Sequence, residues 1–247
     1  MTHEAEPTTP NSGRMLDYWL GGQHHYPVDL AGAKVFEALL PDFPRMFRVL
    51  RDFIGRTSRY IHAQGVDQFL VLGAGVPTQG NVHEVVPGAR VLYTDIDAFN
   101  IALGQRILAG VPNTGYTHCD AADPTTLDMA VAERVLGPLR RLGIIMIGVE
   151  AFIADEPLRA ALQKLYDLAP PGSYLAVDCD NAALDHDPEL LRMMGTDFHM
   201  RTAEQLAASL GPWQLTEEGI QPVAVWGHPG TPVDIRPYMI GGVARKP

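Results

Sequence analysis

The stretch Leu70-Val71-Leu72-Gly73-Ala74-Gly75-Val76-Pro77 reads as a buried strand running into a glycine turn. Glycine suits such a turn because side chains must be absent where a ligand approaches the backbone. Outward from it, short apolar runs alternate with helical spacing, the pattern of βαβ units on a parallel sheet, so the chain is assigned to the α/β class. Strands are predicted over residues 68–72, 90–94, 115–119, 143–149 and 173–178. Helices are predicted over 100–108, 124–136 and 156–168, with Asp123 ahead of a first-turn proline and Asp155 capping the third. Thr202-Ala-Glu-Gln205 has the form of a capping box for a last helix ending at Gly211. Two apolar runs, 213–225 and 233–241, are expected to form a hairpin closing one sheet edge.

A lone G-x-G says little, since any strand-to-helix turn can use glycine. The next two strands add to it. Asp95, 20 residues after Gly75, ends the second strand where an acceptor for a ribose hydroxyl pair is expected. Asp120 follows the third, placed to accept from an adenine amino group. A capping or surface role is the plainer alternative for each carboxylate. A dinucleotide and S-adenosylmethionine both suit such a nucleoside-binding half-fold. Thr78 stands where the third glycine of G-x-G-x-x-G belongs, and this favours the methyl donor, because the dinucleotide motif needs a small residue for close helix–strand approach.

Ahead of the first strand, residues 1–12 are polar and expected to be a disordered tail, and residues 13–65 a helical lid before a core spanning 66–247. Phe43, Met46, Phe47, Leu50, Phe53, Ile54 and Ile61 keep helical spacing from Asp42 and Pro44 until Gly65. The 247 residues are 46% hydrophobic and 19% charged, which suits one sizeable core with an appended segment. Twenty-nine acidic against 19 basic residues give a formal net charge of -10 without any run of Lys or Arg, which argues against nucleic acid as substrate. No apolar stretch reaches the roughly 20 residues of a membrane span, and the start lacks the pattern of a signal peptide, so a cytoplasmic protein is expected. Cys119 and Cys179 are expected as small buried residues, and the nine histidines show no metal-binding spacing.

Two longer strings carry a resemblance. Gly13-Arg-Met-Leu-Asp-Tyr-Trp-Leu-Gly-Gly22 and Pro77-Thr-Gln-Gly-Asn-Val-His-Glu84 resemble the actinobacterial S-adenosylmethionine-dependent methyltransferase family once catalogued as domain of unknown function 574. The similarity continues through Arg51, Phe53, Phe152-Ile153, Asp155, Leu168-Ala-Pro-Pro-Gly-Ser-Tyr-Leu175 and Arg201-Thr202. It implies a Rossmann-like class I methyltransferase sheet of seven strands, with the amino-terminal helices over the cofactor. Carried across, Gly73, Ala74 and Gly75 would approach the methionine portion of S-adenosylmethionine, Asp95 the ribose and Asp120 the adenine, while Arg14 and Tyr18 match the lid. The chain departs from the family at Val71, where an acidic residue is usual and a hydrogen-bonding partner near the methionine end is therefore missing. It departs again at Gln23, His24 and His25, and at Ala151, where the family has histidine.

These departures fall where substrate and transferred group should meet. Glu150, after the fourth strand, is a candidate general base or amine-orienting group, against the plainer reading of a solvated strand-end carboxylate. His25 is a second catalytic candidate and His24 a substrate contact, because imidazole exchanges protons near neutral pH. Tyr18, Trp19 and Tyr26 are candidates for the pocket wall or for core packing. Asp178 and Asp180, at the end of the fifth strand, are expected to bind a polar substrate or to cap a turn. Three functions follow: a small-molecule methyltransferase, in natural-product biosynthesis for example; the same fold turned to a cofactor-independent reaction such as intramolecular ring closure; and a non-catalytic ligand- or partner-binding protein, with a protein partner or homo-oligomer allowed by each.

Overall fold

The computed structural model describes residues 7–228 and 234–247. Three helices precede the sheet: α1 (Ser12–Trp19), α2 (Pro27–Leu39) and α3 (Phe43–Ala63). Strands β1 (Gln68–Leu72), β2 (Arg90–Asp95), β3 (Thr114–His118), β4 (Leu142–Met146) and β5 (Tyr174–Asp180) follow, separated by α4 (Val82–Val85), α5 (Ala98–Ile107), α6 (Met129–Leu136) and α7 (Asp155–Leu168). The chain finishes with α8 (Pro188–Met194), α9 (Ala203–Ser209), β6 (Gln214–Leu215), β7 (Gln221–Pro222) and β8 (Met239–Arg245). The sheet runs β3-β2-β1-β4-β5-β8-β6, with β7 as a further partner of β8. Strands β1 to β5 are parallel, and β8 lies antiparallel to β5.

Each of the five parallel strands lies within three residues of its expected bounds. The closing hairpin is different. The run 213–225 yields two dipeptide strands, both paired with β8, and β8 is an interior strand between β5 and β6. Residue 233, where the second apolar run was expected to begin, lies outside the described residues. The predicted helix over 124–136 is a short 3-10 turn (Pro124–Thr126) followed by α6, because Asp128 caps a new helix through the Ala130 and Val131 amides. Asp155 is the first residue of α7, with Ala154 at the cap position, and its carboxylate binds Arg201 instead. The Thr202–Gln205 capping box is present.

Alternation along the strands divides the core in two. Leu70 and Leu72 of β1, with Ile144 and Met146 of β4, pack toward α6, α7 and α9. Phe69 and Val71, with Tyr93 and Ile145, pack toward Met46, Leu50, Phe53 and Ile61 of α3. Phe53 and Ile61 have no exposed surface, and burying each is worth about 2 kcal/mol. So α3, expected within the lid, is the helix that covers this face of the sheet. α1 and α2 remain beside the strand ends, in a small apolar cluster in which Met15, Trp19 and Ala33 meet Phe43 of α3 and Leu190 of α8. The expected tail also ends earlier than residue 12, since Asn11 caps α1 and Thr9 accepts a hydrogen bond from Arg14.

Strand β1 pairs with β2 on one side and β4 on the other, so the chain order reverses there. Such a reversal opens a crevice at the carboxyl ends of the strands. The glycine turn follows β1, and residues 147–150 follow β4, so both face this crevice.

Candidate active site

The glycine turn is held from several sides. Gly73 and Gly75 adopt φ of +60° and +61°, a left-handed conformation that side-chain-bearing residues resist. A Cβ on Gly75 would lie 3.0 Å from the Gly13 Cα, and one on Gly73 would lie 2.8 Å from a Val149 methyl. The turn therefore admits the lid backbone on one side and the residue beyond β4 on the other. The Gly75 amide donates to the Asp95 carboxylate at 2.9 Å, and the Asp97 amide donates to its other oxygen at 2.9 Å. Each oxygen keeps a second lone pair, and the residue is 7% exposed. Asp120 is partly buried and accepts from the Ala122 amide at 2.8 Å. Ala74 closes the turn by donating its amide to the Thr94 carbonyl. Val71 packs into the cluster beneath α3.

The lid is tied down by buried charge. Arg14 is 1% exposed; its Nε donates to Asp29 at 2.9 Å, and its Nη1 lies 3.6 Å from Asp97. Asp29, fully buried, also accepts from the Asn11 and Tyr26 amides. Asn11 reaches across to Asp97 through its side-chain amide at 3.2 Å. Arg14 thus clamps lid to core. Trp19, expected against substrate, is instead 4% exposed inside the lid, stacked on Phe47 at 4.8 Å with its indole N–H on Glu37. Tyr26 stands at the cap position of α2, its ring 5.8 Å from the Arg14 guanidinium carbon.

Asp17, which no sequence argument singled out, organises the next turn. It is 1% exposed and accepts from the His24 amide at 2.7 Å and from His25 Nδ1 at 3.0 Å. A carboxylate only accepts, so Nδ1 carries the hydrogen and Nε2 is left as the ring's acceptor. His25 is half-buried and meets Tyr18 edge-on at 5.3 Å, while the His24 side chain is exposed. A Cβ on Gly22 would collide with Asp17 Oδ1, which explains the Gly21-Gly22 break in the helical pattern.

Beyond β4 and β5 lies a second carboxylate group. Glu150 opens a 3-10 turn (Glu150–Phe152) and is 1% exposed, not solvated as its strand-end position allowed. Its oxygens accept from the Val149 and Asp178 amides, and Asp178 accepts from the Gly148 amide at 2.7 Å. Burial, then the neighbouring Asp178 charge, hold Glu150 well above the usual carboxylate range. Burial pushes Asp178 up to about 6, and burial with the Asp178 charge pushes Asp180 up to about 7. Two adjacent buried carboxyls resist double ionisation, so the pair holds its protons to higher pH than ordinary carboxyls do. Arg201, 2% exposed, braces this end through the carbonyls of Glu150 at 3.0 Å and Ile153 at 2.5 Å and the carboxylate of Asp155 at 3.0 Å. Among the described residues no group of three or more His, Cys, Asp or Glu is placed to hold a metal ion.

The strand order, the glycine turn at the order reversal and the carboxylate ending β2 define a class I methyltransferase architecture. A family model described as S-adenosyl methyltransferase matches residues 2–247, and the chain belongs to that family. It is similar to a candidate methyltransferase from Thermobifida fusca YX, with 29% identity over 96% of this chain and 95% of the other, at a TM-score of 0.86. It is likewise similar to a DUF574 family protein from Streptomyces avermitilis MA-4680, with 30% identity over 97% and 98% of the two chains, at a TM-score of 0.83. The N-methyltransferase NodS from Bradyrhizobium japonicum WM9 shares the fold at 13% identity over 83% of this chain and 99% of that one, with a TM-score of 0.56. No curated protein matches the chain.

S-adenosylmethionine is the methyl donor that defines the family, and the residues present fit it. Buried polar atoms without a hydrogen-bond partner gather beside the glycine turn: Nε of Arg51, Oγ1 of Thr78 and Nδ2 of Asn81. Buried polar atoms are ordinarily satisfied, so an unsatisfied group of them marks a place built for a ligand. Sequence reasoning missed Asp17 and Asp29 because an isolated aspartate in a helix reads as solvated surface, and Asp97 because an aspartate just ahead of a helix reads as a plain cap.

Proposed function

We propose that the protein is an S-adenosylmethionine-dependent methyltransferase acting on a small molecule, with the acceptor seated between the lid and the ends of β4 and β5. The single observation that supports this most is the partnerless polar group beside a glycine turn that lies against the lid backbone. When bound, S-adenosylmethionine supplies an electrophilic methyl group on a sulfonium. Gly73, Ala74 and Gly75 receive its methionine portion, while the free lone pairs of Asp95 and of Asp120 accept from ribose hydroxyls and the adenine amino group. Arg14 fixes the lid against Asp97, and Tyr18 stands beside His25.

His25 Nε2 takes the proton released by the acceptor, and Asp17 holds the ring in the tautomer that leaves Nε2 free and stabilises the charge it gains. Glu150 and Asp178, whose carboxyls hold their protons to raised pH, orient a polar or cationic acceptor group. Positioning accounts for most of the acceleration, with acid–base help secondary. The net charge of -10 and the absence of a basic run favour a small acceptor over nucleic acid, and a cytoplasmic setting accords with the lack of any described helix long and apolar enough to cross a membrane.

Calorimetry with S-adenosylmethionine and S-adenosylhomocysteine tests the reading, with Asp95→Ala as control. Saturable binding weakened in the variant is expected. No binding by folded protein would overturn it and direct attention to a cofactor-independent reaction, such as ring closure, on the same crevice.

A further inference from the structure

Arg51 projects from α3 toward the loop that follows the glycine turn. Its aliphatic part lies across Gly80, where a Cβ would sit 3.1 Å from the Arg51 Cγ, and its Nη1 donates to Asn81 Oδ1 at 3.1 Å. That bond fixes the Asn81 amide: with Oδ1 accepting, Nδ2 is the donor face. Asn81 is 1% exposed, yet Nδ2 has no partner; the Arg51 Nε and the Thr78 hydroxyl, three residues before Asn81, have none either. Burial lowers the Arg51 pKa, so the cation is held here at a cost, and the carboxylates whose charges act on it, Glu84 and Asp17, make no hydrogen bond to it. Glu84 is engaged by the Asn81 amide and Asp17 by His24 and His25. A guanidinium, an amide N–H and a hydroxyl left free together are a set of donors for a carboxylate, which accepts at both oxygens.

We propose that Arg51, Asn81 and Thr78 form the carboxylate subsite for the amino-acid end of S-adenosylmethionine, making the site selective for the intact donor over its nucleoside fragment. This rests on the methyltransferase reading and adds to it the group that sets donor specificity. It does not replace the acceptor missing at Val71, since an acidic residue there would accept from the amino group while these three side chains donate to the carboxylate.

The test compares S-adenosylhomocysteine with 5′-methylthioadenosine, which keeps the adenosine and thioether but lacks the aminocarboxyl end, by calorimetry on the wild type and on Arg51→Met. Wild type is expected to bind S-adenosylhomocysteine at least about tenfold more tightly. In Arg51→Met that affinity should fall about tenfold or more while 5′-methylthioadenosine binding stays unchanged, which also reports that the variant is folded. Arg51→Gln, which keeps a hydrogen bond to Asn81 and packing on Gly80, should shift the same ratio and serves if Arg51→Met does not fold. Equal wild-type affinity for the two ligands, or a ratio that survives both substitutions, would overturn the subsite and leave donor binding intact. Failure of both ligands to bind wild type would instead overturn the methyltransferase reading, and the subsite with it.

Discussion

Arg201, beyond β4 and β5, and Arg51, between the lid and the glycine turn, sit at opposite ends of the crevice and are satisfied in opposite ways. Arg201 places its three guanidinium nitrogens on two carbonyls and a carboxylate. Arg51 has one hydrogen bond and a buried Nε with none. A buried cation with all its donors matched holds structure together; one with donors unmatched is available to a ligand. The end beyond β4 and β5 is therefore braced by the protein itself, and the end at the glycine turn is the one proposed to receive the donor.

The largest effect should separate the two arginines by stability. Arg201→Met strands two buried carbonyls and is expected to cost roughly 3 kcal/mol or more, lowering Tm by roughly 6 to 12 °C. Arg51→Met removes one hydrogen bond and a desolvated charge, and should change stability by less than about 1 kcal/mol. Chemical denaturation of both variants checks this, and a larger loss in Arg51→Met would erase the contrast.

A second effect lies in the lid. In Asp17→Asn the side-chain amide no longer compels Nδ1–H, so the His25 ring should redistribute between tautomers; nitrogen NMR of the imidazole reads that directly. Once an acceptor is in hand, the same variant should lose about a hundredfold in turnover, as for a general base out of orientation. An unchanged tautomer would remove Asp17 from its orienting role.

The carboxylates beyond β5 give a pH dependence. Asp180 is raised from 3.8 to about 7 in the folded protein, so the stability tied to its proton is fully present below about pH 4 and is lost as pH rises through about 7. Asp180→Asn should accordingly raise Tm by several degrees at pH 8 and leave it nearly unchanged at pH 4. Thermal melts across this range would contradict the account if the two proteins ran parallel.

The smallest effect concerns the thiols. Burial raises Cys119 to about 11 and raises Cys179 as well, so neither forms thiolate readily. Labelling by a thiol reagent at pH 8 should wait for unfolding, and rapid labelling of native protein would show that the core beneath α6, α7 and α9 opens.

The parallel sheet was legible because β1, β4 and β5 are buried on both faces and read as continuous apolar runs. The glycine turn and Asp95 were legible because their spacing follows from the fold. The β6–β8 region was not: two dipeptide strands carry no periodicity, and nothing local in 239–245 reveals that it inserts beside β5. Trp19 was placed against substrate because an aromatic near a lid looks the same whether it faces ligand or Phe47. Glu150 was found by position, but its burial beside the Asp178 amide, 28 residues on, is something only the fold brings about. The Asp17–His25 pair is eight residues apart, across a break whose geometry sequence spacing does not encode.

Hydrogen exchange by mass spectrometry, with and without saturating S-adenosylhomocysteine, tests the central claim most directly, that the donor lies on the glycine turn beneath the lid. Slower exchange is expected in two separate segments, residues 12–26 and 73–81, with little change at 147–153. Protection confined to 147–153, or none at 73–81, would contradict the account.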